Sequence, residues 1–266
     1  MNPAGTGEGT SEAILEVRDL KVSFPVKKGV LALTVGQVKA VDGVSFDVRR
    51  GETLGIVGES GSGKTTVARV VAGLQKATAG AVRLRGRVAM VFQDPLDSLN
   101  PRLTTRATVD DVLRLNRVNG LTAEALLEMV GLDASALDRY PHEFSGGQRQ
   151  RICIARAIAA KPDLLVCDEA VSALDLSVRA QTLDLLAGLR RRLGLSMLFI
   201  THDLGVVRHV ADRVIVLSRG RIVEEGECGE VLSRPRDAYT RRLVDSVCRI
   251  FPQERVQRDF YATPMR

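Results

Sequence analysis

Residues 53–57 read Thr-Leu-Gly-Ile-Val and run straight into Gly58-Glu59-Ser60-Gly61-Ser62-Gly63-Lys64-Thr65. An apolar run thus ends in a glycine-rich loop, and helical spacing over 66–74, closed by Gly73, begins directly after it. Glycine, four residues, then Gly-Lys-Thr between a strand and a helix is the pattern of a loop that wraps a phosphate. The glycines let backbone N–H groups turn inward, and the positive end of the following helix faces the same point. In this pattern Lys64 supplies a point charge to the β and γ phosphates, and the Thr65 hydroxyl is a Mg²⁺ ligand. A flexible Gly/Ser linker would not need Lys64 and Thr65 in register. The predicted cradle comprises Gly58, Glu59, Ser60, Gly61, Ser62, Gly63, Lys64, Thr65 and Thr66.

The remaining periodicities extend this strand, loop and helix unit into a layered α/β core. The apolar runs 164–167, 197–200 and 214–217 lack alternation, as parallel strands covered on both faces do. Between them lies the helical pattern 177–193, with Val178, Leu185, Leu186, Leu189 and Leu193 on one face. Alternation with β-branched residues at 14–17, 21–26 and 44–48 predicts an antiparallel sheet before the loop. From 110 to 160 helical patterns follow one another (112–117, 123–130, 148–160) with no strand between, which predicts a helical lobe inserted in the core. Residues 1–12, rich in Gly, Thr, Ser and Glu, read as a flexible tail. After Pro235 comes one helical stretch, 238–247, and then a polar basic tail.

Composition narrows the partners. The excess of 38 Lys and Arg over 32 Asp and Glu suits phosphates or an anionic surface. With no Trp, 4% aromatics and scattered arginines, no stacking platform for single strands is present, and nucleic acid is not an expected partner. No apolar run approaches the roughly 20 residues that cross a bilayer, and the N-terminus has no basic apolar signal pattern, so a cytoplasmic location is expected. Cys153, Cys167, Cys228 and Cys248 are too scattered for paired metal motifs and read as reduced structural thiols.

A second polar element ends the run Leu164-Leu165-Val166-Cys167-Asp168-Glu169. Ligand-facing residues emerge at the carboxyl edge of such a strand. Asp168 is suited to support Mg²⁺, and Glu169 to orient and deprotonate an attacking water. Alone, the pair could also be a helix cap at a strand end, the lesser of the two readings.

Ser145-Gly146-Gly147-Gln148, opening the pattern 148–160, can be a capped helix start or a second anion site. It resembles the signature motif of ABC ATPases. The order of parts strengthens the likeness: phosphate loop, Gln93, signature, Asp168-Glu169, Ser172-Ala173-Leu174-Asp175, then His202. The resemblance implies a RecA-like P-loop NTPase core with an antiparallel β subdomain and an inserted helical signature subdomain. It implies an ATPase domain over 13–234, the helical part at about 96–160, and an extension over 235–266. It also assigns roles. Gln93 senses Mg²⁺ and the attacking water, Asp175 contacts a second ATPase subunit, His202 holds the γ phosphate, and Phe24 stacks on adenine. Ser145, Gly147 and Gln148 act on ATP held by that second subunit. His142 and His209 have no such position and read as surface or lobe residues.

Closer likeness is to the ATPases of oligopeptide, dipeptide and nickel importers. It rests on Phe92-Gln93-Asp94-Pro95, Ser98-Leu99-Asn100-Pro101-Arg102, Tyr140-Pro141-His142-Glu143-Phe144, the insertion between Phe24 and Ala40, and the tail from Pro235 to Arg242. Asp237 and Ala238 replace a usual His-Pro, Ala170 replaces a common proline, and 105–118 departs from the family run. The likeness implies ATP and Mg²⁺ as ligands, a second ATPase subunit of the same or another kind, membrane permease subunits, indirectly a solute-binding protein, and a place on the cytoplasmic face of the membrane. An ABC ATPase of a soluble complex, such as a carbon–phosphorus lyase, is the other reading. Relatives that carry an iron–sulfur site use four C-terminal cysteines; only Cys228 and Cys248 lie there, so none is expected.

Overall fold

The structure, a computed structural model, describes residues 12–28 and 33–250. The tail 1–11 and residues 251–266 lie outside the described residues, as do the side chains of 26–35 and 247–250, Cys248 included.

The chain opens with two long strands, β1 (Ala13–Lys28) and β2 (Leu33–Arg49), followed by β3 (Thr53–Val57) and the loop leading to α1 (Lys64–Val71). Next come β4 (Ala79–Leu84), β5 (Val88–Val91), and four helices without a strand: α2 (Pro95–Ser98), α3 (Thr105–Leu115), α4 (Ala123–Met129) and α5 (Gly146–Ala159). The core resumes with β6 (Leu164–Asp168), α6 (Leu176–Leu193), β7 (Ser196–Ile200), α7 (Leu204–Val210), β8 (Arg213–Ser218) and β9 (Arg221–Glu227). Two further helices follow, α8 (Cys228–Ser233) and α9 (Ala238–Ile250).

Two sheets form. The antiparallel one has the order β2-β1-β4, and the other the order β5-β6-β7-β3-β8-β9, parallel except for the β8–β9 hairpin. Every residue of β3, β6 and β7 is buried, which explains their unbroken apolar sequence. One hydrophobic core lies between the two sheets around Val67, Ala68 and Val71 of α1. A second packs α3, α4 and α5 onto β6, β7 and α6, and a small third holds α7, α8 and Val244 of α9 against β8.

The segments 14–17 and 21–26, read separately in the sequence, are one strand interrupted by a register shift between Val17 and Leu20. There Asp19 has left-handed backbone, φ 44°. Helix starts are fixed by side-chain oxygens: Thr104 accepts from Ala107 N–H, Thr122 from Ala125 N–H, and Asp175 from Val178 N–H. The cysteines Cys153, Cys167 and Cys228 are free and buried. Burial pushes the Cys167 thiol up to about 12, so it stays a neutral, inert hydrophobe.

Candidate active site

β3 delivers the glycine-rich loop at the centre of the parallel sheet, and its neighbours determine which residues reach it. A Cβ on Gly58 would lie 2.1 Å from the Leu217 carbonyl oxygen, and one on Gly63, φ 108°, 2.3 Å from that of Ala40. Glycine is therefore required at both by close backbone approach as well as conformation. The tip of the β8–β9 hairpin stitches the loop to the antiparallel sheet: Gly220 N–H donates to Ser62 O (2.9 Å), and Asp42 N–H to Gly220 O (2.8 Å).

A cleft of ≈ 880 Å³ opens over the loop, within the several hundred to roughly 1,000 Å³ typical of small-molecule sites. Gly58 to Gly61, Gly63 to Thr66, Gln93, Glu169 and His202 line it. The sequence-predicted residues of four separate strand ends thus meet: the loop after β3, Gln93 after β5, Glu169 after β6 and His202 after β7. β6 and β7 are neighbours in register, Asp168 opposite Ile200, so the residues just beyond them emerge side by side.

Lys64 Nζ, buried at the base, donates to Gly58 O (2.7 Å) and Glu59 O (2.8 Å). Burial lowers its pKa from the usual lysine value, opposed by the charges of Glu169, Asp168 and Glu59. A polyanion arriving here would replace desolvation with attraction, favouring the ammonium form. The Thr65 hydroxyl donates to Asp168 Oδ1 (3.2 Å). Burial raises the Asp168 carboxyl, with the Thr65 hydrogen bond pulling the other way. Two hard oxygen donors at the mouth of a phosphate loop suit Mg²⁺, which takes one or two protein oxygens beside phosphate and water. Among the described residues no group of three or more His, Cys, Asp or Glu forms an all-protein metal cage.

His202 Nδ1 lies 3.0 Å from both Glu169 oxygens. A carboxylate only accepts, so Nδ1 carries the proton in this pairing. Glu169 itself has φ 49°, a left-handed backbone in a residue other than glycine, and its N–H is held by Ile200 O at 2.9 Å. Such a conformation costs about 1–3 kcal/mol and concentrates at functional sites.

Other predicted residues stand elsewhere. Phe24 on β1 pairs with Val38, is 43% exposed, and is not among the residues lining the cleft. Ser145, Gly146, Gly147 and Gln148 open α5, where Ser145 Oγ accepts from Gln148 N–H (3.3 Å) and Gln148 Oε1 from Ser145 N–H (3.0 Å). Asp175 caps α6, and the Val178 N–H holds its carboxyl below the usual range. None of these five lines this chain's cleft. The cleft also has residues to which the sequence assigned no site role: Ala40 from β2, and Arg242, Leu243 and Ser246 from α9. Only the three-dimensional path of the chain after Pro235 brings α9 there; its helical periodicity carries no sign of it.

A glycine-rich loop at the centre of a parallel sheet, with a lysine at its base and a carboxylate–histidine pair opposite, defines a P-loop nucleoside-triphosphatase. The ABC transporter family model matches residues 41–172. The oligopeptide transport ATP-binding protein AppF of Bacillus subtilis is 46% identical over 258 residues, covering 89% of this chain and 78% of that protein. The dipeptide transport ATP-binding protein DppF of Escherichia coli is 42% identical over 277 residues, covering 95% and 82%. A dimeric post-hydrolysis structure of the ATP-binding cassette MJ0796, bound to ADP and Pi, superposes with a TM-score of 0.68 at 26% identity, covering 80% of this chain and 98% of that one. The chain belongs to the ABC transporter ATPase family, and it binds and hydrolyses ATP.

Proposed function

We propose that this chain is the energy-coupling ATPase of an importer for peptides, nickel or a related small solute. Peptide transport in the names of the relatives supports this reading. Its partners would be a second ATPase subunit, of the same or another kind, membrane permease subunits and, indirectly, a solute-binding protein. Among the described residues no helix is long and apolar enough to cross a membrane, which fits a peripheral subunit held on the cytoplasmic face by its permease.

The observation that carries the chemistry is the convergence of Lys64, the Thr65–Asp168 pair and the Glu169–His202 pair in one cleft. Loop N–H groups and Lys64 neutralise phosphate charge as ATP binds. Glu169, released from His202, accepts a proton from the attacking water, and His202 then has a ring N–H free for the γ phosphate. Mg²⁺, held by Thr65 and Asp168 and sensed by Gln93, would screen charge on the phosphate oxygens. Phe24 would stack on adenine. Ser145, Gly146, Gly147 and Gln148, which do not line their own cleft, would close over the ATP of the second subunit, with Asp175 at that contact.

Purification in mild detergent tests the assembly. A permease and a second ATPase are expected in the complex, and recovery of a soluble multi-subunit enzyme in their place would overturn the importer reading. Glu169→Gln tests the chemistry: ATP binding persists and a dimer accumulates while phosphate release nearly stops. Undiminished turnover would remove Glu169 from this role.

A further inference from the structure

We infer that Arg242 on α9 is a nucleotide-binding residue, a second cation for the phosphates, held in place by a Tyr239 hydrogen bond to the phosphate loop. The inference rests on the ATP-site reading above and gives Tyr239 and Arg242 a role at the nucleotide that the sequence reading did not assign to them.

The first observation is electrostatic. Among the residues lining the cleft, Lys64 and Arg242 are the two that carry a permanent positive charge, against Glu59 and Glu169. Lys64 is committed, its ammonium bonded to two loop carbonyls. Arg242 is exposed and, among the described residues, has no carboxylate within ion-pair distance; its guanidinium carbon stands 6.0 Å from the centre of the Tyr239 ring. A guanidinium at the mouth of a phosphate site with its fork uncommitted matches the planar, bidentate demand of phosphate oxygens.

The second observation is mechanical. The Glu59 N–H, inside the phosphate loop, donates to the Tyr239 hydroxyl at 2.9 Å. Arg242 sits three residues along the same helix, on the same face as Tyr239. It borders a second hollow beneath the loop together with Tyr239, Glu59, Ser60, Gly61 and Ser62. α9 is no loose strap here. Glu224 of β9 accepts the N–H groups of Arg236 (2.8 Å) and Asp237 (3.1 Å) at its start, Asp237 Oδ1 accepts the Tyr239 N–H (2.7 Å), and Val244 is buried in the third core. The loop and the cation are thus tied to one rigid element, which keeps the entropic cost of placing Arg242 low.

The test is titration calorimetry on the full chain with ATP and with ADP, Mg²⁺ present, for wild type, Arg242→Ala, Arg242→Lys, Tyr239→Phe and Lys64→Ala. Arg242→Ala is expected to weaken ATP binding about tenfold, as loss of one charge-assisted hydrogen bond does. Arg242→Lys, which keeps the charge but not the fork, should recover part of that affinity, and the difference between Arg242→Ala and wild type should shrink as salt rises. Tyr239→Phe should weaken binding by a smaller factor while leaving the helical circular dichroism unchanged. Wild-type affinity in Arg242→Ala, alongside a clear loss in Lys64→Ala, would overturn the inference and leave the ATP site standing. So would a loss that lysine does not recover and salt does not alter, since that is the behaviour of packing. Wild-type protein that binds neither nucleotide would overturn the ATP site itself, and this inference with it.

Discussion

Gly147→Ala separates what the segment Ser145 to Gln148 does for the fold from what it is proposed to do for a partner. A Cβ at Gly147 would stand 2.4 Å from Val178 Cγ1 on α6, short of the roughly 3.5–4.0 Å at which carbon atoms attract. Valine in a helix has one strongly preferred rotamer, so Cγ1 cannot swing aside, and the start of α5 has to move relative to α6. Overpacking of this kind costs about 1–3 kcal/mol. Alanine's better helix propensity offsets about 0.5–1 kcal/mol of it. The balance is a net loss of up to about 2.5 kcal/mol, near 1 kcal/mol at the middle of both ranges, and each kcal/mol lowers Tm by roughly 2–4 °C in a chain of this size.

Thermal melts of the ligand-free protein read this directly. Gly146→Ala is the control, because nothing lies within 4 Å of its added Cβ, and it should melt at or slightly above wild type. The double variant Gly147→Ala/Val178→Ala should regain most of the loss that Gly147→Ala causes, a coupling expected of residues in contact. If Gly147→Ala melts like Gly146→Ala, or shows no coupling to Val178, the steric argument is wrong. Turnover of the double variant then reports the second role: restored stability with depressed ATPase activity means the glycine also serves a face beyond this chain.

Three further outcomes are expected. Lys64→Ala should weaken ATP binding itself, measured by equilibrium titration, and unchanged affinity would contradict the cradle. Glu52→Ala should cost about 3 kcal/mol in urea unfolding, because Glu52 is buried 3.1 Å from Arg213 and also accepts the Arg49 N–H at 2.7 Å; a loss below 1 kcal/mol would mean Asp47 and Glu225 replace it. Burial pushes the Glu224 carboxyl up, but the N–H groups of Arg236 and Asp237 outweigh it and leave its pKa lowered. A depressed carboxylate stabilises the fold above its unfolded pKa and loses that contribution as pH falls through the folded value. Amide exchange at Arg236 and Asp237 should therefore quicken as pH falls below the ordinary glutamate range, relative to neighbouring exposed amides, and Glu224→Gln should remove that pH dependence.

What was legible in the sequence followed from burial. β3, β6, β7 and β8 were visible because strands covered on both faces must be apolar throughout, and the phosphate loop because backbone proximity demands glycine at fixed spacing. The strands not predicted are those this rule does not reach. β4, Ala-Gly-Ala-Val-Arg-Leu, is an edge strand with no buried residue; β5 is four residues long; β9 carries three glutamates. α3 begins seven residues before the predicted 112 because Thr104 caps it, a signal that lay upstream of the periodic stretch. The strain at Glu169 left no mark in the residue types, and neither did the approach of α9 to the loop, since both are set by distant segments.

One network links parts of the site that the sequence presents separately. Arg179 on α6 donates to Asp203 Oδ2 (3.0 Å), next to His202, and to the carbonyl oxygens of Ser172 (3.4 Å) and Leu174 (3.2 Å). Ser172 Oγ in turn donates to Glu169 O at 2.9 Å. The segment between Glu169 and Asp175 is thus bonded at one end to the carboxylate's own backbone and at the other to the residue after the histidine. A guanidinium bonded to three acceptors in fixed directions transmits displacement better than a single flexible bond would. A subunit pressing on Asp175 would therefore act on the hydrogen bonds that hold Glu169 against His202, the pairing that has to open before Glu169 can take a proton from water. In the proposed mechanism this arginine would connect dimer contact to proton transfer, and its sequence position, inside an ordinary amphipathic helix, gave no hint of it.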